Sequence, residues 1–198
     1  MIGDIILIYF TSDTHFGSQR TLELSKRPFA NVGEMDFALM TNWNKTVSQE
    51  DTIYHLGDFG NYNMAQYLNG TIMLIPGNYE YDDIRKKEMT IKGLGQIFDD
   101  VPITNYLKIA KENFIDYIDN EYKNIVPDYF YLTHEPNDCV KNDTNTFNLF
   151  GHIHKLQMVR KYGLNVGSDC HNFKPISIND VMFYRNGILS YYDKNVFE

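Results

Sequence analysis

This sequence predicts an α/β domain, with a two-layered or sandwiched sheet inside and helices outside. Two observations carry that expectation. Short apolar runs at residues 5–11, 52–56, 71–76, Tyr129–Thr133 and Thr146–Phe150 are bounded by polar turns, as strands covered on both faces are. Between the first two runs, Met35, Leu39, Trp43 and Val47 recur at every fourth position of residues 34–47, which lines them along one face of a helix. Strands alternating with helices in this way predict βαβ units in the N-terminal half.

The remaining elements follow in chain order. Residues 61–68 predict a second, shorter helix. Residues 105–127 contain an acidic, tyrosine-rich stretch in which Phe114, Tyr117, Ile118 and Tyr122 stand at i, i+3, i+4 and i+8. That spacing predicts a helical or hairpin insertion over one side of the domain, either a solvated surface element or a cap that shapes a cleft. Residues 163–166 and 187–191 read as strands around a short helix at 179–183.

At 198 residues the chain suits a single domain, residues 1–198. Its 43% hydrophobic and 15% aromatic content excludes a disordered chain. The 18 Lys and Arg against 26 Asp and Glu give a net charge of −8. Binding of long nucleic acid is not expected from that balance, because it needs many cationic contacts with phosphates. A small phosphorylated ligand is compatible with it, above all where bound cations supply positive charge. Cys139 and Cys170 make no CxxC pair, which fits a reducing cytosolic setting. The apolar run at 5–10 falls short of the roughly 20 residues that span a bilayer. No Lys or Arg precedes it, so no signal peptide is expected, and the expectation is a soluble, cytoplasmic protein.

Five short motifs each follow an apolar run: Ser12-Asp13-Thr14-His15, His55-Leu56-Gly57-Asp58-Phe59-Gly60, Pro76-Gly77-Asn78-Tyr79-Glu80, Thr133-His134-Glu135-Pro136 and Gly151-His152-Ile153-His154. Ligands of open α/β sheets bind at the carboxyl ends of strands, so these motifs predict one rim carrying Asp13, His15, Asp58, Asn78, His134, His152 and His154. Asp13 and His15 are two apart, as are His152 and His154, and on extended backbone such residues point the same way. Imidazole and carboxylate ligands suit zinc, iron, manganese or nickel. Seven ligands exceed the need of one tetrahedral ion and suit two ions sharing a carboxylate, an arrangement that clamps the attacking and leaving oxygens of a phosphoryl displacement.

With these motifs the chain resembles the calcineurin-like metallophosphoesterase superfamily, whose pattern is D-x-H, G-D-x-x, G-N-H-D or G-N-H-E, a later His, and G-H-x-H. Asp13-Thr14-His15-Phe16-Gly17, Arg27-Pro28-Phe29, Trp43-Asn44 and Tyr54-His55-Leu56-Gly57-Asp58-Phe59 resemble its small single-domain bacterial and phage members. The resemblance implies a four-layer α/β/β/α sandwich of two mixed sheets with flanking helices. It implies two divalent ions, manganese first, with iron, zinc or nickel as alternatives. One would be held by Asp13, His15 and His154 and the other by Asn78, His134 and His152, with Asp58 and a hydroxide bridging them. That hydroxide would attack phosphorus in line, which makes Asp58, Asn78, Tyr79 and His134 the catalytic candidates.

The sequence departs from the family pattern at Tyr79, where a His that protonates the leaving group is usual. A phenol, with an ordinary pKa near 10, is a poor proton relay but can donate a hydrogen bond to a phosphate oxygen. Either the leaving group needs little protonation, another group such as His55 or a metal-bound water substitutes, or the protein binds metal and nucleotide while catalysing weakly. His55 otherwise reads as a packed strand histidine. Arg27, Tyr79 and His171 are the candidate substrate contacts. Arg20, Lys155 and Lys174 are further cations near the motifs, Glu80 is expected to cap a helix near Tyr81, and Glu135 to orient His134 or face solvent. The expected activity is hydrolysis of a small phosphodiester, of a nucleotide or similar molecule. The alternatives are a weakly catalytic metal-binding scaffold and a nuclease on DNA or RNA.

Overall fold

Ile8 and Phe10 alternate with Tyr9 along the first strand, and the two sides of that alternation feed two separate parts of the core. The computed structural model describes residues 6–197. Strand β1 (Ile8–Thr11) pairs in parallel with β2 (Thr52–His55), and β2 in parallel with β3 (Thr71–Leu74). On its other side β1 pairs antiparallel with β9 (Ile176–Ser177), giving the order β3-β2-β1-β9. The second sheet has the order β4-β5-β6-β8-β7. Its parallel centre is β5 (Tyr129–Thr133), β6 (Thr146–Phe150) and β8 (Gly163–Asn165). Antiparallel β4 (Tyr106–Ala110) and β7 (Val159–Arg160) close its edges. These are the two mixed sheets with flanking helices that the resemblance implied.

Helix α1 (Gln19–Leu24) starts at Ser18, whose side chain accepts from the Thr21 amide. Helix α2 (Val32–Thr46) starts at Asn31, which accepts from the Glu34 amide. These are ordinary N-caps for otherwise unpaired first-turn donors. Met35, Leu39 and Trp43 of α2 are buried against Tyr9, Ile53, Ile72 and Leu74 of the first sheet. On the opposite side, Ile8 and Phe10 share a core with Phe130, Leu132, Phe147, Leu149 and Leu164 of the second sheet. Helices α3 (Asn78–Arg85) and α4 (Ile91–Leu94) follow β3. Helix α5 (Ile178–Tyr191) packs against β8, β9 and β1, and α6 (Lys194–Phe197) follows it. No helix among the described residues is long and apolar enough to cross a membrane.

One expectation is corrected and two are narrowed. Residues 187–191 are the last turns of α5 and not a strand: a Ser177–Asp180 capping box opens the helix, and Ile178, Val181, Met182 and Ile188 hold one buried face through it. A short apolar run looks the same in a strand as in a helix that continues one. The short helix expected at residues 61–68 is a 3₁₀ helix, Tyr62–Tyr67. Of the two forms expected for residues 105–127, the structure has the hairpin: β4 pairs with β5, and three 3₁₀ turns fill the connection. Phe114 and Ile118 of that connection are buried against Phe10, Tyr54 and Phe130, so its apolar spacing marks core contact and not a solvated face. Helix α1 was not foreseen. Ile5, the expected start of the first strand, lies outside the described residues.

Candidate metal centre

Level parallel strands bring the motifs to one rim. Thr11 is opposite His55 and His55 opposite Leu74, so Asp13, Asp58 and Asn78 leave the first sheet side by side. Pairing continues past the strands, with the Asp13 amide on the Gly57 carbonyl at 3.0 Å and the His15 amide on the Asp58 carbonyl at 3.0 Å. From the second sheet, the His152 amide donates to the Asp13 carboxylate at 2.9 Å and closes the gap between the sheets.

The backbone here is not extended, contrary to the expectation from spacing. Asp13, His15, Asp58, His152 and His154 have φ of 56°, 49°, 58°, 70° and 48°, the left-handed region that non-glycine residues enter at a cost and that concentrates at functional sites. His152 and His154 fall in different groups, as the resemblance implied, while Asp13 and His15, with the same left-handed backbone, fall in one. The neighbouring glycines make the close approach feasible. At Gly57, φ is 83° and a Cβ would sit 2.5 Å from the Gly77 Cα; at Gly151 one would sit 2.5 Å from Asp13 Oδ2.

Two groups of metal-binding side chains result: Asp13, His15 and His154, and Asp58, His134 and His152, each with ligand atoms within 4.8 Å of one another. Asn78 joins the second group, its Oδ1 lying 2.9 Å from His134 Nε2 and 3.1 Å from His152 Nδ1. Asp58 Oδ2 is 3.5 Å from His15 Nε2 and 3.5 Å from His134 Nε2, one histidine of each group. The Tyr79 amide holds the other oxygen, Asp58 Oδ1, at 3.0 Å.

These residues fit divalent cations. Both ring nitrogens of the buried His15 lack a hydrogen-bond partner among the described residues, a costly arrangement unless a ligand supplies one. Burial, partly opposed by Asp13 and Asp58, lowers the His15 pKa to about 4, so its imidazole is neutral and has a lone pair to give. Burial acts on His134 in the same direction, but its hydrogen bond to Asp58 and the charges of Asp13 and Asp58 raise it to about 10.

A set of supporting contacts fixes these rings. His134 Nδ1 sits 2.7 Å from the Leu56 carbonyl, which turns Nε2 to the site. His154 Nδ1 sits 2.8 Å from Asp169 Oδ2, the carboxylate–histidine arrangement that orients metal ligands. Asp169 in turn pairs with Arg27 at 3.0 and 2.7 Å, and Arg27 reaches the Asp13 and Thr14 carbonyls at 2.6 and 2.8 Å. Glu80, fully buried, accepts from the amides of Gly77, Asp58 and Phe59 at 2.8, 2.9 and 2.9 Å. Asp169 escaped the sequence reading because it follows a strand end without any recognisable pattern. Glu80 carried a signal, an acidic residue three positions after Gly77, which marks the N3 position of a helix. The helix starts at Asn78, and the same carboxylate also clasps the Asp58 turn.

Two of the three expected substrate contacts, Arg27 and His171, lie outside the cleft. Arg27 is buried and fully engaged as a brace, so its charge does not meet the cleft. His171 is buried, with Nε2 2.8 Å from the Asn165 carbonyl and its ring against Tyr184. His55 is wholly buried, 3.0 Å from Thr14 Oγ1, with its pKa lowered to about 3 by burial; it is a packed histidine that has no path to a leaving group. Lys174 is exposed but outside the cleft. Glu135 is 3.4 Å from His152 and not from His134. Arg20, Tyr79 and Lys155 line a cleft of about 510 Å³ together with His15, Asp58, Asn78, His152 and His154.

The sequence pattern of the calcineurin-like phosphoesterase superfamily domain matches residues 6–178. An uncharacterized protein of Methanocaldococcus jannaschii is 27% identical, with 87% of each chain covered. The crystal structure of a protein of unknown function from Aquifex aeolicus superposes with a TM-score of 0.56 at 22% identity, over 87% of this chain and 96% of that one, a likeness of fold. With the family pattern spanning both sheets and every candidate ligand, the chain belongs to the calcineurin-like phosphoesterase superfamily.

Proposed function

We propose that the protein is a dinuclear metal-dependent phosphoesterase acting on a small phosphodiester, of a nucleotide or similar molecule, in a reducing cytoplasmic setting. The observation that carries the reading is Asp58 Oδ2, set 3.5 Å from one histidine of each group as a bridging carboxylate would be. Asp13, His15 and His154 would hold one ion, Asn78, His134 and His152 the other, and manganese is our first choice for both. Two divalent ions so placed supply Lewis acidity toward phosphate oxygens and lower the pKa of bound water. The protein's own part is positional. The Tyr79 amide and Glu80 fix Asp58, Asp169 and the Leu56 carbonyl orient His154 and His134, and Asn78 offers its side-chain oxygen between His134 and His152.

Room on both sides of the centre supports a diester. Asn78 lines both the large cleft and a neighbouring pocket of about 200 Å³ formed with Tyr81, Arg85, Asn105 and Glu135, so each ester substituent has a place. Tyr79 favours substrates whose leaving group departs without a strong general acid. It also supports a second reading, a metal-bound protein that catalyses weakly, because Arg20 already engages its hydroxyl.

Metal analysis with a phosphoester panel tests the proposal. We expect about two bound ions per chain, turnover of aryl phosphodiesters with manganese, little action on a fluorescent oligonucleotide, and loss of both metal and turnover in Asp58→Ala. Undiminished turnover in that variant refutes the mechanism. Bound metal without turnover of any substrate selects the scaffold reading, and rapid oligonucleotide cleavage selects a nuclease.

A further inference from the structure

The large cleft contains a pair of residues that the metal groups do not use. Arg20 Nη1 donates to the Tyr79 hydroxyl at 2.8 Å, and the Tyr79 ring stands edge-on to His15 with centroids 4.7 Å apart. The phenol oxygen accepts from Arg20, so among the described residues its own O–H remains free to donate, as do the other guanidinium N–H groups. Arg20 has no carboxylate at ion-pair distance among the described residues; Arg160 and Arg185 also lack one, but their guanidiniums are held by carbonyl, amide and hydroxyl oxygens away from the cleft. In a chain of net charge −8, an exposed guanidinium beside a candidate metal ligand is available to an anion.

The cleft walls repeat one arrangement. Arg20 and Leu24 lie one turn apart on α1, and Lys155 and Leu156 lie in the 3₁₀ turn that begins at His154. All four line the cleft. Leu24 is 67% exposed and Leu156 86% exposed, so neither contributes to the core, yet each offers an apolar face beside a cation.

We propose that this cleft is a mononucleotide subsite, in which the Arg20–Tyr79 pair grips the phosphate and a planar aromatic base lies between Leu24 and Leu156. This rests on the phosphoester reading above and names its substrate class. The guanidinium fork matches phosphate oxygens, and the two leucines give a ring apolar surface that a bare sugar phosphate does not use.

Calorimetric titration of the manganese-loaded protein with adenosine 5′-monophosphate and with ribose 5-phosphate tests the subsite. The nucleotide should bind about tenfold more tightly. The double variant Leu24→Ser, Leu156→Ser should abolish that preference and leave ribose 5-phosphate affinity unchanged. Arg20→Ala should weaken both ligands by about tenfold. Equal affinities in the parent, a preference that survives the double variant, or no binding of either ligand overturns the base site. An Arg20→Ala variant with unchanged affinities overturns the phosphate grip. Turnover of bis-p-nitrophenyl phosphate by the same samples separates the two proposals. Turnover without nucleotide preference refutes the subsite alone, and preference without turnover refutes hydrolysis alone.

Discussion

Replacing Glu80 by glutamine should loosen the Asp58 turn while keeping the side-chain shape. Glu80 Oε2 accepts from the Gly77 and Asp58 amides at 2.8 and 2.9 Å, and Oε1 from the Phe59 amide at 2.9 Å. Glutamine retains one acceptor oxygen, so it can keep at most the first two bonds. Its NH₂ group then meets the Phe59 N–H donor to donor. The loss is one charge-assisted bond, roughly 1.5–3 kcal/mol, plus about 1–3 kcal/mol for buried donors left unpaired. Relief of carboxylate burial offsets part of this, since burial and then the Asp58 charge push the Glu80 pKa up despite its three amide donors. The net expectation is a loss of about 2–4 kcal/mol. Trp43, the single tryptophan, is 1% exposed, so its fluorescence reports urea unfolding of the chelator-treated protein. Because the same turn carries Asp58, manganese affinity by calorimetry should fall by about 10–100-fold. An unchanged urea midpoint together with unchanged manganese affinity would refute the role assigned to Glu80.

Three further outcomes follow from the site. Burial would raise the Asp169 carboxyl, but hydrogen bonds from His154 and Arg27 outweigh it and bring the pKa from 3.8 to about 2. A depressed acid stabilises the fold above its unfolded pKa and loses that contribution as pH falls through the folded one. The metal-free parent should therefore exceed Asp169→Asn in urea stability by about 1 kcal/mol more at pH 6 than at pH 3, and a pH-independent gap contradicts the assignment. Tyr79→His should speed hydrolysis of alkyl esters, by up to about 10²–10⁴-fold, with little change for aryl esters; equal acceleration of both argues against a missing general acid. Gly57→Ala places a Cβ against Gly77 at a φ of 83° and should cost at least about 1–2 kcal/mol, so a thermal midpoint equal to the parent's would show that the two turns have room to move apart.

The ligand motifs were legible because each is local. A short apolar run followed by Asp, Asn or His states both the strand and the chemistry at its end, and β5 and β6 fall on the expected residues. Helix α2 was legible from its four-residue period and buries the expected Met35, Leu39 and Trp43. Illegible elements were those whose apolar runs are short or whose partners are distant. Ile188 and Leu189 look strand-like alone and helical only as the end of α5. Phe114 and Ile118 look like a surface stripe until Phe10 and Phe130 are placed beside them.

The sequence by itself determined the donor set: Asp13, His15, Asp58, Asn78, His134, His152 and His154 at the ends of strands. The family resemblance already implied how that set divides. What tertiary structure decided is the backbone that presents it: Asp13, His15, Asp58, His152 and His154 all turn through the left-handed region, and spacing along a chain does not report the sign of φ. It also decided that Arg27 and His171 are internal while Arg20 faces the cleft. Arg27 reads like any cation near a motif until Asp169, 142 residues away, meets it at 2.7 Å. A charge shows its sign in the sequence, but whether it is satisfied depends on which distant group the fold brings to it.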